Sequence, residues 1–330
     1  MRLYGLQYVR QYSGLSSCIA AGTNGRLSVR PIMRLHVWPS VRTHAQPCAW
    51  LGGRGDGWMG GRNASEGGER GEMRMQVVAL ANWKGGVGKT TSAANLALAL
   101  AERAQRVLLV DLDPQANLTE AFGHVSSPER GVWTVLGGDD GVGLEDVLLD
   151  VAPSVSLAPA SEALADLTWS LVRAPDYRTR LRDALEAVAD RFDVALLDTP
   201  PGIGLWPGLA LLSADAVVIP TRPHDSDVLA TGKLVDYIEQ EIRPANSGLR
   251  VAGALVTQVQ SRWRLARETR EGLGSDEIPV FETEIPASVR VAATVRHGAP
   301  LYALRPDHKV SAAYRRAADE LRTRLQGVAA

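Results

Sequence analysis

Short apolar runs alternate with longer stretches of helical spacing from residue 77 onward. Apolar runs bounded by polar or glycine-rich turns are typical of buried strands, and they fall at residues 77–81, 106–111, 155–157, 192–198, 216–220 and 251–257. The helical spacing predicts helices at residues 90–103, 163–172, 176–191, 228–242, 264–272 and 310–325. Strands that alternate with helices predict an α/β fold, with a mostly parallel twisted sheet and helices on both faces.

The first 72 residues do not follow this pattern. They hold nine arginines, no lysine and four acidic residues, a formal charge of +5, and glycine dominates residues 51–72. A glycine-rich segment without apolar periodicity predicts disorder. The arginine and serine content of residues 1–55, with no acidic residue, resembles a mitochondrial transit peptide. We favour a start assigned too far upstream, because Met75 directly precedes the first strand and either Met73 or Met75 could be the true start. We therefore expect a disordered or mis-assigned extension at residues 1–72 and one folded domain at residues 73–330.

The overall composition narrows the class of protein. The chain has 330 residues, of which 45% are hydrophobic and 22% charged, as in ordinary globular proteins. Its formal net charge is −1, so there is no global basic signature for nucleic acid. No apolar run is long enough to span a bilayer. The two cysteines, Cys18 and Cys48, both lie in the segment expected to be disordered, so a disulfide framework is unsupported and a reducing cytoplasm fits.

A glycine-rich turn follows the first strand directly and leads into a helix that begins at Thr90. Its glycines allow the backbone to wrap closely, so that N–H groups can point at a phosphate chain beside the positive end of the helix dipole. Lys89 supplies charge for the β- and γ-phosphates, and the Thr90 hydroxyl can bind Mg²⁺. A further lysine, Lys84, begins the turn. The stretch predicts a phosphate-binding loop for a nucleotide, whose residues are Lys84, Gly85, Gly86, Val87, Gly88, Lys89, Thr90 and Thr91.

Carboxylates stand at the ends of two more predicted strands. Asp111 and Asp113 follow the second strand, and Asp198 ends the strand at residues 192–198. The carboxyl ends of parallel strands form the crevice in which α/β sheets bind their ligands. An apolar strand that ends in an aspartate after a phosphate-binding loop is a Walker B pattern, whose carboxylate holds Mg²⁺, usually through water. We therefore predict a magnesium site that uses Thr90 and Asp198.

Three motifs in this order resemble the ParA/Soj group of deviant Walker ATPases. They are the Lys-Gly-Gly-Val-Gly-Lys-Thr-Thr of residues 84–91, the Val-Asp-Leu-Asp-Pro-Gln of residues 110–115 and the Asp-Thr-Pro-Pro of residues 198–201. Weaker matches occur at residues 157–161, 214–220 and 298–300. The resemblance covers residues 76–325, and it implies the fold of a P-loop nucleotide hydrolase.

The resemblance also implies roles for single residues. In this group two subunits enclose two ATP molecules, so Lys84 would reach the partner subunit's nucleotide and neutralise phosphate charge in the transition state. Asp113 matches the residue that positions the attacking water, which makes Lys84 and Asp113 the candidate catalytic residues. Asp111 would support the loop and the metal shell, or simply cap the strand. Asp198 would be the Walker B acid.

Such ATPases bind DNA without sequence preference as ATP-bound dimers. A net-acidic domain needs a local basic patch for this task. By position, Arg262 and Arg290 resemble the DNA-contacting arginines of Soj-like proteins. Neighbouring basic side chains could add phosphate contacts. They are Arg264, Arg267, Arg270, Arg296 and His297. The three arginines on the predicted helix could equally form one solvated helix face.

The resemblance implies a cytoplasmic, nucleoid-associated ATPase for plasmid or chromosome partition or cargo positioning. Its hydrolysis would be stimulated by a ParB-like adaptor. Residues 221–232 and 291–293 depart from the family pattern, whereas the ATP site matches it well. The resemblance therefore leaves the identity of the partner protein open. A MinD-like membrane ATPase is the alternative, but it needs a bulky apolar face on the C-terminal helix, and residues 314–330 are rich in alanine. An iron–sulfur carrier would need cysteines after the loop, and an inactive scaffold would not need its intact catalytic residues.

Overall fold

The computed structural model describes residues 74–124, 130–138, 141–260, 263–275, 278–294 and 298–326. The predicted extension at residues 1–72 lies outside the described residues, and so do both cysteines and Arg262.

In the described part, a seven-stranded sheet has the strand order β3-β4-β2-β5-β1-β6-β7. All pairings are parallel except that of β3 with β4 at one edge. The strands are β1 Gln76–Leu80, β2 Val107–Asp111, β3 Leu149–Ala152, β4 Val155–Ala158, β5 Val194–Asp198, β6 Ala216–Thr221 and β7 Arg250–Val256. The central strands are buried on both faces, which explains their continuous apolar runs.

Helices cover both faces of this sheet. They are α1 Lys89–Ala101, α2 Asn117–Ala121, α3 Val132–Gly137, α4 Ala163–Leu171, α5 Arg180–Glu186, α6 Leu205–Ser213, α7 Asp225–Tyr237, α8 Trp263–Ser275, α9 Val289–Thr294, α10 Leu301–Leu304 and α11 Lys309–Gln326. A 3-10 turn spans Leu144–Val147, and α7 continues into a π-helical turn at Ile238–Ile242. One core cluster joins the sheet to α3–α6, and a second joins its other face to α1, α10 and α11. The predicted α/β fold is confirmed.

One predicted helix has the wrong length, and several elements were not predicted. The helix predicted at residues 176–191 is shorter, since α5 spans only Arg180–Glu186 and turns flank it. Strand β3 and helix α6 were not predicted. Helix α6 was missed because glycines and a proline, which are unfavourable inside helices, occur at residues 202–208. Pro207 nevertheless lies in the first turn of α6, where its missing N–H breaks no helical hydrogen bond.

Strand register brings the candidate site together. Asp198 lies opposite Asp111 on β2 and opposite Leu80 on β1, because β5 runs between those strands. The loop that follows β1 therefore meets both carboxylates at the carboxyl edge of the sheet. This is the edge at which open α/β sheets bind their ligands.

Candidate active site

The glycine-rich turn offers free N–H groups. Gly86 and Gly88 have φ values of 74° and 91°, in the left-handed region that favours glycine. The end of β7 holds the carbonyl side of the turn: the Thr257 hydroxyl donates to the carbonyl oxygen of Val87 at 2.7 Å, and the Gln258 amide donates to that of Gly86 at 2.7 Å. The N–H groups of residues 85–88 donate to no atom of the described residues. They are available to an anion, and their concave arrangement suits phosphate.

Two lysines begin and end the turn. The backbone N–H of Lys84 donates to the Asn82 side-chain oxygen at 3.0 Å, and the Lys89 ammonium donates to the Lys84 carbonyl oxygen at 3.3 Å. Lys89 is buried, whereas Lys84 is half-buried. Burial lowers the pKa of Lys89, although the charges of Asp198 and Asp113 partly oppose this shift. An incoming phosphate would restore a counter-charge to this lysine.

Asp198 is a buried carboxylate that has no hydrogen-bond partner among the described residues. It has no exposed surface, and neither of its oxygens accepts a hydrogen bond from the described residues. Burial raises its pKa well above the usual range, and the charge of Asp111 adds to the rise. The nearby Thr90 hydroxyl and Lys89 favour the charged form, yet no hydrogen bond of normal geometry joins either to Asp198. A buried polar group without a partner is rare and points to a missing ligand.

Asp111 is buried equally deeply, but its oxygens are fully used. They accept hydrogen bonds from the Asp113 N–H at 3.1 Å, the Thr119 N–H at 2.9 Å and the Thr119 hydroxyl at 2.8 Å. Burial raises the pKa of Asp111 to about 6, although these hydrogen bonds oppose the rise. The contacts tie the end of β2 to the start of α2, as expected of a residue that supports the loop.

Asp113 faces an open cavity of about 430 Å³. One of its oxygens accepts the Gln115 N–H at 2.9 Å, and the side chain is only 6% exposed. The phosphate-binding turn, Thr90 and Thr91 line the same cavity. Asn95, Ala121, Gln258, Val291 and Pro300 also line it. The cavity therefore places a carboxylate beside the space that the phosphate-binding turn encloses.

The donor set fits Mg²⁺. No group of three or more His, Cys, Asp or Glu side chains in the described residues could hold a metal ion by itself. Mg²⁺ does not need such a cage, because it typically takes one or two protein oxygens, substrate phosphates and water. The unpartnered Asp198 carboxylate and the neighbouring Thr90 hydroxyl supply oxygens of that kind.

The structure describes only part of the predicted DNA-binding surface. Arg290 is exposed on α9, and the next residue, Val291, lines the cavity. Arg262, Arg296 and His297 lie outside the described residues, and Arg264 and Arg267 are placed only as positions on α8. Arg270 donates to the Phe281 carbonyl oxygen at 2.8 Å and to the Glu282 carboxylate at 3.0 Å. Among the described candidates, Arg290 is therefore exposed, whereas Arg270 is half-buried and paired with Glu282.

Several residues that hold the site were not predicted. They are Asn82, Thr257 and Gln258. Gln258 adopts a left-handed backbone with φ of 55°, which is uncommon for a residue with a side chain. Asn82 could have been suspected, because it is an amide directly between an apolar strand and the turn.

Comparison with known proteins places this site in a family. A family model described as an AAA domain matches residues 75–251. The chromosome-partitioning ATPase Soj of Thermus thermophilus is 37% identical over 254 residues, which are 77% of this chain and 98% of that protein. The sporulation initiation inhibitor protein Soj of Bacillus subtilis is 32% identical over 72% of this chain and 95% of its own length.

Solved structures agree with this assignment. A cobyrinic acid a,c-diamide synthase from Mycobacterium smegmatis with bound ADP and magnesium has a TM-score of 0.67 and 32% identity, covering 77% of this chain and 96% of that one. The cell division ATPase MinD of Pyrococcus furiosus has a TM-score of 0.63 and 25% identity, covering 75% and 98%. The suspected resemblance is confirmed, and the chain belongs to the ParA/Soj family of P-loop partition ATPases.

Proposed function

We propose that this protein is an ATP-dependent dimerising ATPase that binds DNA non-specifically and drives plasmid or chromosome partition or the positioning of another cargo. The unpartnered Asp198 carboxylate carries the ATPase part of the proposal. It lies fully buried near Lys89 and Thr90, beside a turn whose N–H groups are free. That arrangement fits a phosphate chain and a divalent cation.

The residues divide the work of hydrolysis. The N–H groups of residues 85–88 and the Lys89 ammonium would bind the phosphates, while Thr90 and Asp198 would hold Mg²⁺. When bound, Mg²⁺ neutralises charge on the phosphate oxygens. Asp113 orients the attacking water from the wall of the cavity. Lys84 reaches the nucleotide of the partner subunit and stabilises the charge that develops during transfer.

The DNA-binding step uses a local positive surface. Arg290 is exposed on α9, and the next residue of this helix, Val291, lines the nucleotide cavity. Arg262 is the second proposed contact with DNA. Contact with phosphate needs only charge and reach, so binding is independent of sequence. A cytoplasmic, nucleoid-associated protein follows from this proposal. A ParB-like or other cargo adaptor then stimulates hydrolysis and releases the dimer.

The MinD-like membrane alternative has less support. No helix in the described part of the chain is long and apolar enough to cross a membrane. A peripheral anchor would instead need a free apolar face on the last helix. In α11 the residues Val310, Tyr314 and Leu321 are buried in the core cluster that contains α1. That face already stabilises the fold.

Replacement of Asp113 by alanine tests the catalytic assignment. Asp113→Ala should bind ATP with nearly unchanged affinity, and its hydrolysis rate should fall by roughly 10²-fold or more, as expected when a group that positions a nucleophile is removed. The matched control is Asp166→Ala, which removes an exposed aspartate from the first turn of α4. Turnover at the wild-type rate in Asp113→Ala would exclude Asp113 as the water-positioning residue.

Charge reversal at Arg290 tests the DNA surface separately. Arg290→Glu should bind ATP normally but bind duplex DNA weakly, and the slope of log affinity against log salt should decrease by about 1 for each DNA phosphate that the variant no longer neutralises. Arg173→Glu makes the same charge change at the end of α4, among the helices on the other face of the sheet. Equal DNA affinity and salt dependence in the Arg290 and Arg173 variants would contradict the assignment.

A further inference from the structure

The nucleotide cavity extends beyond the phosphate-binding turn. Helix α1 begins at Lys89, and the cavity is lined by its first turn and also by Ala94 and Asn95. Because an α-helix rises about 1.5 Å per residue, Asn95 lies about 7.5 Å further along the axis than Thr90. A phosphate chain held at the start of α1 therefore leaves this end of the cavity for the rest of a nucleotide.

A buried amide joins this part of α1 to the start of α10. Asn95 is only 2% exposed, and its side-chain oxygen accepts the Tyr302 N–H at 2.9 Å. Its amide nitrogen donates to the Thr91 carbonyl oxygen at 2.6 Å. Tyr302 lies in the first turn of α10, where N–H groups have no acceptor within their own helix. Asn95 therefore supplies an acceptor that α10 lacks, and it fixes the turn that follows Pro300, a residue of the cavity wall.

Two glycines hold the other end of the same segment. Gly123 and Gly298 have φ values of 78° and 58°, and their backbones touch. A Cβ on Gly123 would lie 2.9 Å from the Gly298 carbonyl oxygen, and a Cβ on Gly298 would lie 2.8 Å from the Gly123 Cα. Gly123 follows α2, whose last residue, Ala121, also lines the cavity. Residues 298–302 are thus held between α1 and the end of α2, with Pro300 between the two contacts.

These contacts bring mostly apolar side chains to this end of the cavity. Apart from Asn95, whose amide is engaged by Thr91 and Tyr302, they are Ala94, Ala121, Val291 and Pro300. Sites for the planar part of a ligand are typically lined in this way, with few polar groups. This end of the cavity therefore suits a nucleoside, whereas the glycine-rich turn suits phosphates.

We propose that Asn95 is a positioning residue for the nucleoside part of ATP. Through the Tyr302 N–H it holds residues 298–302 against the cavity, and the Gly123–Gly298 contact holds them from the other side. The inference rests on the proposed binding of ATP at this site. It separates two tasks: the turn and Lys89 bind the phosphates, and Asn95 keeps the wall in place that the base and the ribose contact.

Replacement of Asn95 by alanine tests the inference with two ligands. Titration calorimetry measures the binding of ATP and of inorganic triphosphate, which has no base or sugar, both with Mg²⁺. Asn95→Ala should bind ATP roughly tenfold more weakly, while its affinity for triphosphate should change by less than about twofold. The KM for ATP should rise by a similar factor and kcat should stay within about twofold of wild type, because the phosphates remain in place.

Ser92→Ala is the matched control. Ser92 is fully buried on the same helix, its hydroxyl is hydrogen-bonded to the Tyr314 hydroxyl at 3.1 Å, and it does not line the cavity. The replacement breaks a buried contact between α1 and α11, and it should leave both affinities within about twofold of wild type. If Asn95→Ala does not fold, Gly298→Ala takes its place, because its Cβ displaces the same segment from Gly123 and leaves α1 unchanged.

The outcomes separate the inference from the proposed function. A wild-type protein that binds neither ATP nor triphosphate would refute the proposed function itself. If the wild type binds ATP, an unchanged ATP affinity in Asn95→Ala, an equal loss for both ligands, or an equal loss in Ser92→Ala would overturn the positioning role. Where triphosphate binds too weakly for calorimetry, the kinetics decide: a raised KM with wild-type kcat supports the role, and a lowered kcat at wild-type KM overturns it.

Discussion

Replacement of Asp198 by asparagine should make the nucleotide-free protein more stable and remove its response to magnesium nucleotide. Asparagine has nearly the shape of aspartate but carries no charge. The Asp198 carboxylate is buried, has no hydrogen-bond partner among the described residues and lies near the charges of Asp111 and Asp113. Folding therefore carries a cost that a neutral amide avoids, as often occurs at active sites.

The charge of Asp198 is unfavourable where it is buried, because its pKa is raised well above the usual range. Two effects offset part of the gain from removing this charge: the attraction to Lys89 is lost, and the asparagine amide is itself buried without a partner. Because an unpaired buried charge costs more than an unsatisfied neutral group, we expect Asp198→Asn to raise the free energy of unfolding by about 0.5–2 kcal/mol, as stabilising replacements commonly do, and the thermal midpoint by roughly 1–8 °C.

Asp111→Asn is the matched control, because it makes the same chemical change at an equally buried position. Both Asp111 oxygens accept backbone N–H groups, so an asparagine amide must face an N–H donor whichever way it is turned. A buried donor that is left unsatisfied in this way costs about 1–3 kcal/mol, which opposes the benefit of removing the charge. Asp111→Asn should therefore gain no stability.

Unfolding is measured with and without Mg²⁺ and ADP. Ligand at a hundred times its dissociation constant stabilises the wild type by about 2.7 kcal/mol, and Asp198→Asn should lose the magnesium-dependent part of this gain. The variant would thus be more stable than wild type without ligand and would respond less to magnesium. A ligand-free Asp198→Asn variant that is less stable than wild type would contradict this prediction. So would a variant that keeps the full magnesium-dependent gain in the free energy of unfolding.

Two further predictions concern pH and the N-terminal segment. Because the pKa of Asp111 in the folded protein, about 6, exceeds its value in the unfolded chain, the folded state takes up a proton first and stability increases as the pH falls. From pH 7.5 to 5 this group should add about 1.4 kcal/mol in chelator without nucleotide, measured by urea unfolding, and an equal pH dependence in Asp111→Asn would contradict the assignment. A chain that begins at Met73 should fold and hydrolyse ATP as the full chain does, measured by circular dichroism and phosphate release; an insoluble or inactive product would show that residues 1–72 are required.

Much of the site could be predicted because its motifs are local. The phosphate-binding turn occupies consecutive residues, and each aspartate directly follows an apolar run. Spacing within the sequence could not distinguish the role of Asp111 from that of Asp198. The distinction depends on strand register and on Thr119, which lies eight residues after Asp111 and saturates one of its oxygens.

Contacts between distant segments could not be predicted in this way. Asn82 meets Pro220 across 138 positions of sequence, and Thr257 meets Val87 across 170. Asp227 resembles any acidic residue in the first turn of a helix, where negative charge is favourable. Only the packing of α7 against the end of β6 turns it into a buried partner of Arg222. The edge strand β3 was missed because it is half-buried and short.

The central claim is that ATP joins two subunits through Lys84, and the mass of the complex in solution tests it most directly. Light scattering during gel filtration of Asp113→Ala with ATP and Mg²⁺ should give twice the monomer mass, because the dimer forms and hydrolysis does not release it. With ADP the same variant should be monomeric, and Lys89→Ala should remain monomeric with either nucleotide. A monomer in Asp113→Ala with saturating ATP, or an ATP-dependent dimer in Lys89→Ala, would contradict the account.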